Sequence, residues 1–365
     1  MSDQPAVSDA PVPVAAPSSL PGWNADLRPV SCQSCGWRYL VHPGAAPSRC
    51  PHCAAEALAP LPEDAPHSYP PEQVLPFKLS KTALEESVRS FAGDIPYPPE
   101  SLTPAALRSR LTPLYLPVWL VDGKVHALWQ AEMGFYYQVI SHQESYNQNL
   151  GKWQSKEIKE QRTRWEPRIG RLTRAYNNLH APAAPDSISL EKSLGGFTLA
   201  TAEPYRPEHV ETAAVRLPEH TPQQAWSEAS KSFQTAAVEE CRQASGADEI
   251  RQFKWKAQVN RLNWTLLLLP VYAASYLDDD GKPQPVLIHG QTGHVTGSRR
   301  SSMKRARQVS LRFFLAAVAL IVLGLVLGAV SADGFATLAI LAGIGCFIGT
   351  LIPIIVAWGF NSRQS

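Results

Sequence analysis

The chain has no excess of one charge: 34 Lys and Arg stand against 32 Asp and Glu in 365 residues, which excludes a histone-like or acidic-tail protein. Residues Met1 to Leu20 hold no Lys or Arg and no apolar core, so they are not a signal peptide. With Pro5, Pro11, Pro13 and Pro17 they cannot bury enough surface to offset ordering entropy, and residues 1–27 read as a disordered Pro/Ala-rich leader. Catalytic signatures are missing as well. There is no Gly-x4-Gly-Lys-[Ser/Thr] loop, since Gly151-Lys152 runs into Trp153 and lacks the upstream glycine, and no His-Glu-x-x-His, Gly-x-Ser-x-Gly or Gly-x-Gly-x-x-Gly. The expectation is a protein that is not an enzyme.

Acidic residues are absent between Gly281 and Ala332, and from Phe313 to Phe360 the single charge is Asp333. A mean hydropathy of −0.17 conceals this tail, which no soluble domain requires. It divides at Ser331-Ala332-Asp333-Gly334 into 313–330 and 335–360, each long enough to cross about 30 Å of hydrocarbon as a helix. Two helices joined by a tight turn make a transmembrane hairpin, with Pro353 kinking the second. A basic collar over 299–312, carrying Arg299, Arg300, Lys304, Arg305, Arg307 and Arg312, precedes the first span. The positive-inside rule puts that flank, the N-terminal bulk and the C-terminus in the cytoplasm. Arg299, Arg300, Lys304, Arg305 and Arg307 are candidate contacts for anionic lipid. Gly324/Gly328 and Gly345/Gly349 are small-xxx-small pairs, read first as hairpin self-packing and second as a homo-oligomer contact.

Four of the six cysteines form Cys32-Gln-Ser-Cys35 and Cys50-Pro-His-Cys53. A Cys-x2-Cys knuckle lets two thiolates meet one ion, and two knuckles complete the tetrahedral set that zinc prefers. Cys32, Cys35, Cys50 and Cys53 are therefore the expected Zn2+ ligands, in a zinc ribbon over 28–56. Disulfides are the alternative, disfavoured in reducing cytoplasm, and His42 and His52 are read as bystanders. Trp37, Arg38, Tyr39 and Arg49 are expected on the ribbon surface, able to stack on bases and meet phosphates or to cover a protein partner.

After a Pro-rich linker, 57–76, residues 77–298 read as an α+β body. Leu114 to Val121, Asp122-Gly123-Lys124 and Val125 to Trp129 predict a β-hairpin with Asp-Gly as its turn. The same grammar at Leu267 to Tyr272, Asp280-Gly281-Lys282 and Val286 to His289 suggests two similar β-hairpin halves. Gly151 to Arg174 carries eight basic residues against three acids, with Trp153 and Trp165 interleaved, which fits either nucleic acid or a solvated hairpin face. Thr221-Pro222-Gln223-Gln224 starts an amphipathic helix whose apolar positions, among them Ala225, Ala229, Phe233 and Cys241, run to Gly246.

The order Cys-x-x-Cys-Gly, Tyr115-Leu-Pro-Val-Trp119, Arg164-Trp165-Glu-Pro, Pro204-Tyr205-Arg-Pro, Leu269-Pro-Val-Tyr272, Gly290-Gln-Thr-Gly293 and a C-terminal membrane hairpin resembles the bacterial membrane-anchored zinc-ribbon proteins. These are often labelled, by their ribbon, primosomal protein N-prime (replication factor Y) or superfamily II helicase-like. The resemblance implies a location in the bacterial cytoplasmic membrane and a role in envelope stress beside phage-shock, ESCRT-III-like proteins. It leads to the expectation of a non-enzymatic zinc-ribbon platform that binds a membrane-peripheral protein, with a membrane-tethered nucleic-acid-binding protein as the alternative.

Overall fold

The computed structural model describes residues 22–61, 69–147, 152–329 and 333–363. Most of the expected leader lies outside them, but Trp23 and Leu27, at its end, are buried. Trp23 stands edge-on to Tyr205, 5.8 Å between ring centroids, and its carbonyl accepts the Tyr205 hydroxyl. In chain order the strands and helices begin with β1 (Arg28–Cys32), β2 (Arg38–Val41), β3 (Leu58–Pro60), β4 (Gln73–Val74), α1 (Lys81–Gly93) and α2 (Pro104–Arg108). Next come β5 (Thr112–Asn147), β6 (Lys152–Pro182), α3 (Ser187–Leu194), β7 (Glu203–Pro204), β8 (Ala214–Arg216) and α4 (Pro222–Ser245). The chain continues through β9 (Glu249–Leu277), β10 (Pro283–His289), β11 (Val295–Gly297), α5 (Met303–Ala329), α6 (Asp333–Gly349) and α7 (Ile352–Arg363). These make two compact units, one of residues 1–116, 193–217 and 269–365, the other of 117–192 and 218–268.

The first unit is built on a sheet in the order β11-β10-β9-β5-β8-β2-β1-β3. The ribbon strands belong to it: β1 pairs antiparallel with β2 and β3, and β2 pairs with β8 at Tyr39↔Arg216 and Leu40↔Val215. Helix α1 starts where the Ser80 hydroxyl accepts the amide of Ala83, satisfying one of the donors a helix start leaves open. Its Val88 and Phe91 close a core with Leu107, Tyr276 and Ile288, each such buried side chain contributing about 1.5–3 kcal/mol. Asp280-Gly281 is the hairpin turn the sequence predicts. Gly281 takes φ +76° between β9 and β10, and the Asp278 carboxylate accepts the amides of Asp280 and Lys282.

The second unit departs from the expected first hairpin. Asp122-Gly123 is no turn, because β5 continues to Asn147 and pairs antiparallel with β6 from Val118↔Pro182 to Asn147↔Lys152. The register shifts between Val121 and Gly123, where Asn177 and Asn178 oppose the single residue Asp122. This is a β-bulge. Asn178 sits at φ +55° and gives its amide to the Asp122 carboxylate. Gly123 is required for packing, since a Cβ there would lie 2.8 Å from the Phe233 ring and 2.9 Å from Val259. The two halves are thus not alike: one Asp-Gly turns a hairpin and the other bends a continuous strand. Helix α4 has the cap and end that its sequence dictates. Thr221 and Gln224 form a capping box, and Gly246 closes the helix at φ +65°. Ala225, Ala229, Phe233 and Ala237 pack on Val121, Val125, Ala127 and Leu172, and Cys241 on Ala131 and Met133.

Two apolar segments, Met303–Leu327 and Thr337–Arg363, are long enough to cross a membrane, with only 11% and 22% of their most apolar windows buried. The core helix of a soluble protein would be mostly covered. Residues 331–332 of the expected turn lie outside the described residues. The expected kink at Pro353 is a break: α6 ends at Gly349, and Pro353 is the second residue of α7, where its missing N–H is no loss. The Thr350 carbonyl at the break accepts the Ser310 hydroxyl of α5. Helices α5 and α6 pack tightly at Gly343, where a Cβ would meet Ile321 at 2.6 Å and the Ala317 carbonyl at 3.1 Å. Gly345, half of an expected contact pair, has nothing within 4 Å of its own Cβ position. Asn361 of α7 bonds the Ser301 backbone in both directions, its amide donating to the carbonyl and its oxygen accepting the N–H, so the start of α5 and the end of α7 lie side by side.

Candidate metal centre

Each knuckle of the ribbon is a tight backbone turn that aims two sulfurs at one point. The Gly36 amide donates to the Cys32 carbonyl and the Ala54 amide to the Cys50 carbonyl, and both donors are left-handed residues, Gly36 at φ +77° and Ala54 at φ +60°. Glycine adopts this conformation freely, whereas Ala54 does so at a cost. Strands β1 and β2 hold the first knuckle; Cys50 is also bound back by its own amide to the Ala55 carbonyl.

The four sulfurs of Cys32, Cys35, Cys50 and Cys53 lie within 4.8 Å of one another, and no other His, Cys, Asp or Glu group of this kind occurs among the described residues. Cys32 Sγ is 3.6 Å from Cys53 Sγ, and Cys35 Sγ is 3.6 Å from Cys50 Sγ. A disulfide needs about 2.05 Å, whereas thiolates at about 2.3 Å from a tetrahedrally held ion stand about 3.8 Å apart. The tetrad therefore fits a metal ion and not a pair of disulfides. Burial raises the Cys32 thiol, but the amides of Cys35 and Ser34 outweigh it and bring it down to about 7. Burial pushes the Cys35 and Cys53 thiols up, a penalty that a cation held by the tetrad would offset.

The residues around the tetrad differ from the exposed set that the ribbon suggests. Tyr39 is fully buried and its hydroxyl lies 3.2 Å from Cys50 Sγ. Burial and the neighbouring thiols hold that hydroxyl far above the usual range, so it stays protonated and has a proton to offer a Cys50 thiolate. Trp37, at the entry to β2, is covered, stacked on His52 at 3.9 Å, with the Arg216 guanidinium 3.6 Å from its ring centre. Arg49 is exposed and paired with Glu56 at 2.5 Å. The β2–β8 pairing takes Trp37 and Tyr39 out of the surface. The sequence held one clue to this: Trp37 and Tyr39 are two apart along an extended segment and share a face. Arg216 carries no such signal. His42 caps a turn by accepting the Gly44 amide, and His52 stacks instead of ligating.

The remaining charged groups are scattered. Asp278 orders the β9–β10 turn, and Asp279 accepts the Lys304 amide and the Ser302 hydroxyl. In the collar, Arg299 pairs with Asp94 at 3.7 Å and lies over Phe91, Lys304 donates to the Asp279 carbonyl, and Arg305 donates to the Pro98 carbonyl at 2.7 Å. Arg307 is exposed. In the basic stretch of β6, Arg162 pairs with Glu160, Arg164 and Arg168 with Glu166, and Arg174 with Glu240. Four of its cations are thereby engaged. No family model, curated protein or solved structure matches the chain.

Proposed function

We propose that the chain is a non-enzymatic, zinc-stabilised platform anchored in a bacterial cytoplasmic membrane, whose body binds a membrane-peripheral protein. The observation that carries this reading is the make-up of one compact unit. The metal-binding tetrad, the sheet into which β2 hydrogen-bonds, and the apolar helices clamped at Ser301–Asn361 all belong to it. A metal-held fold of this kind, fixed to both ends of an apolar hairpin, suits holding a partner at a membrane better than turning over a substrate.

The basic flank before α5 supports a cytoplasmic body, and the juxtaposed ends of α5 and α7 support a hairpin that returns to the side it left. The sulfur tetrad favours zinc, which has no geometric preference of its own to contest the tetrahedral set. The resemblance to membrane-anchored zinc-ribbon proteins adds an ESCRT-III-like stress protein as the partner class. The nucleic-acid reading loses its stacking surface, with Trp37 and Tyr39 covered, and much of its free charge on β6.

Affinity capture of the intact chain from detergent-solubilised membranes tests this. The expected result is retention of one membrane-peripheral protein at near-equal amount. A chain that fractionates as soluble and retains no protein refutes the proposal, and tight, salt-sensitive capture of single-stranded DNA would establish the alternative instead.

A further inference from the structure

The second unit's three long strands have unequal faces. On β5 the residues Val125, Ala127, Trp129, Ala131 and Met133 pack toward α4, and on β9 Phe253, Trp255 and Ala257 do the same. The alternate residues form the opposite face, which no element of this unit covers. There Leu128 stands across from Arg171 and Gln130 across from Ile169. Together with Trp129, Trp255, Lys254 and Lys256 these residues line an open depression of about 680 Å3.

Two properties of that depression point to a ligand. Its aliphatic side chains are wet: Ile169 is 84% exposed and Leu128 56%. Its rim is cationic, because Arg171, Lys254 and Lys256 enter none of the ion pairs among the described residues. Glu132, an acid on this face, is taken by Arg251 at 2.6 Å.

We propose that this face docks an acidic amphipathic helix of a partner protein, laying its apolar stripe on Leu128 and Ile169 and its carboxylates against Arg171, Lys254 and Lys256. The proposal rests on the platform reading and gives its partner a chemistry. A second copy of the same basic face would repel, so self-association does not fill it. Nucleic acid would need an aromatic ring free to stack. Trp165 on this face is already covered by the Arg251 guanidinium at 3.9 Å, Tyr136 is bonded through its hydroxyl to Glu249, and Trp129 and Trp255 pack toward α4.

The intact chain in neutral-lipid nanodiscs is titrated with a fluorescent helical peptide of about five turns, with Leu at i, i+3, i+4 and i+7 and Glu elsewhere. A counterpart with Lys for Glu serves as control. The Glu peptide is expected to bind, to weaken about tenfold or more with Lys254→Glu plus Lys256→Glu, and to weaken as salt rises from about 0.05 to 0.5 M. Ile169→Gln should weaken it independently of salt. All three side chains are exposed, and circular dichroism checks that the variants keep their fold.

Equal binding of both peptides, or of the Glu peptide to wild type and variants alike, overturns the proposal, as does displacement by single-stranded DNA or phosphatidylglycerol vesicles. If the partner captured from membranes is also retained by the Lys254→Glu, Lys256→Glu chain, the platform reading stands and this surface falls. If the Glu peptide binds as expected but no partner is captured, the surface stands and the platform reading falls.

Discussion

Replacing Tyr39 by Phe removes a single oxygen beside the metal tetrad and leaves the ring in place, so its effect isolates one hydrogen bond. The hydroxyl lies 3.2 Å from Cys50 Sγ inside a fully buried residue, and it also receives the His52 backbone N–H. A hydrogen bond to a charged acceptor contributes about 1.5–3 kcal/mol, and the orphaned His52 amide adds to the loss. At about 1.4 kcal/mol per decade this is a ten- to hundredfold fall in metal affinity, the range expected of groups that orient metal ligands. Because the phenyl ring left by the substitution would keep the tilted packing on Trp37, 6.1 Å between centroids, no cavity forms to confuse the result. Competition for zinc against a chromophoric chelator measures the affinity directly. A Tyr39→Phe chain that holds zinc within about twofold of wild type would refute the reasoning, since the hydroxyl would then contribute nothing to the thiolate.

His289 is buried, stacked on Phe197 at 3.8 Å, and accepts the amides of Gln291 and Thr292 at Nδ1, so it is held neutral and burial lowers its pKa below the usual 6.5. The unfolded chain then binds the proton that the folded chain refuses. Its stabilising effect is full above about pH 6.5 and falls as pH drops below that value, and a melting-temperature series should show this slope flattened in His289→Gln. Gly123→Ala drives a methyl into Phe233 and Val259 and should cost about 1–3 kcal/mol in chemical denaturation of the body, whereas Gly93→Ala, with nothing within 4 Å, should not. Gly343→Val should loosen the α5–α6 hairpin, read as lost protection of the spans from protease in bilayers. Gly345→Val should leave the hairpin intact, and a fall in cross-linked dimer for that variant alone would assign Gly345 to a homo-oligomer contact.

What could be read in advance was what depends on neighbours in the chain. Thr221, Pro222, Gln224 and Gly246 fix α4 through contacts at most a turn away, and the Cys-x2-Cys spacing determines its own knuckle. The Asp122-Gly123 pair misled because its meaning is set at a distance. Asp122 takes the Asn178 amide, and the glycine is there to clear Phe233. The same non-locality hides the ribbon's surface, since β8, far along the sequence, pairs with β2 and its Arg216 covers Trp37. The lengths of β5, β6 and β9 were illegible for a related reason. Along them the open face alternates charged with apolar residues, Leu128 and Ile169 among Lys and Arg, so the period of two that marks a half-buried strand is blurred.

That coupling of ribbon and sheet would give a metal held by the tetrad a wider role than holding a small knuckle pair. Loss of the ion should loosen β2, and with it the Trp37–Arg216 contact and the β8 pairing, so the first unit melts earlier as a whole. The most direct measurement is therefore the zinc-to-chain ratio of protein extracted from alkali-washed membranes. The account predicts a single zinc ion per chain in that fraction, lost in Cys35→Ser and Cys53→Ser. A chain released into the soluble wash, or one that stays in the membrane carrying iron or no metal, would contradict it.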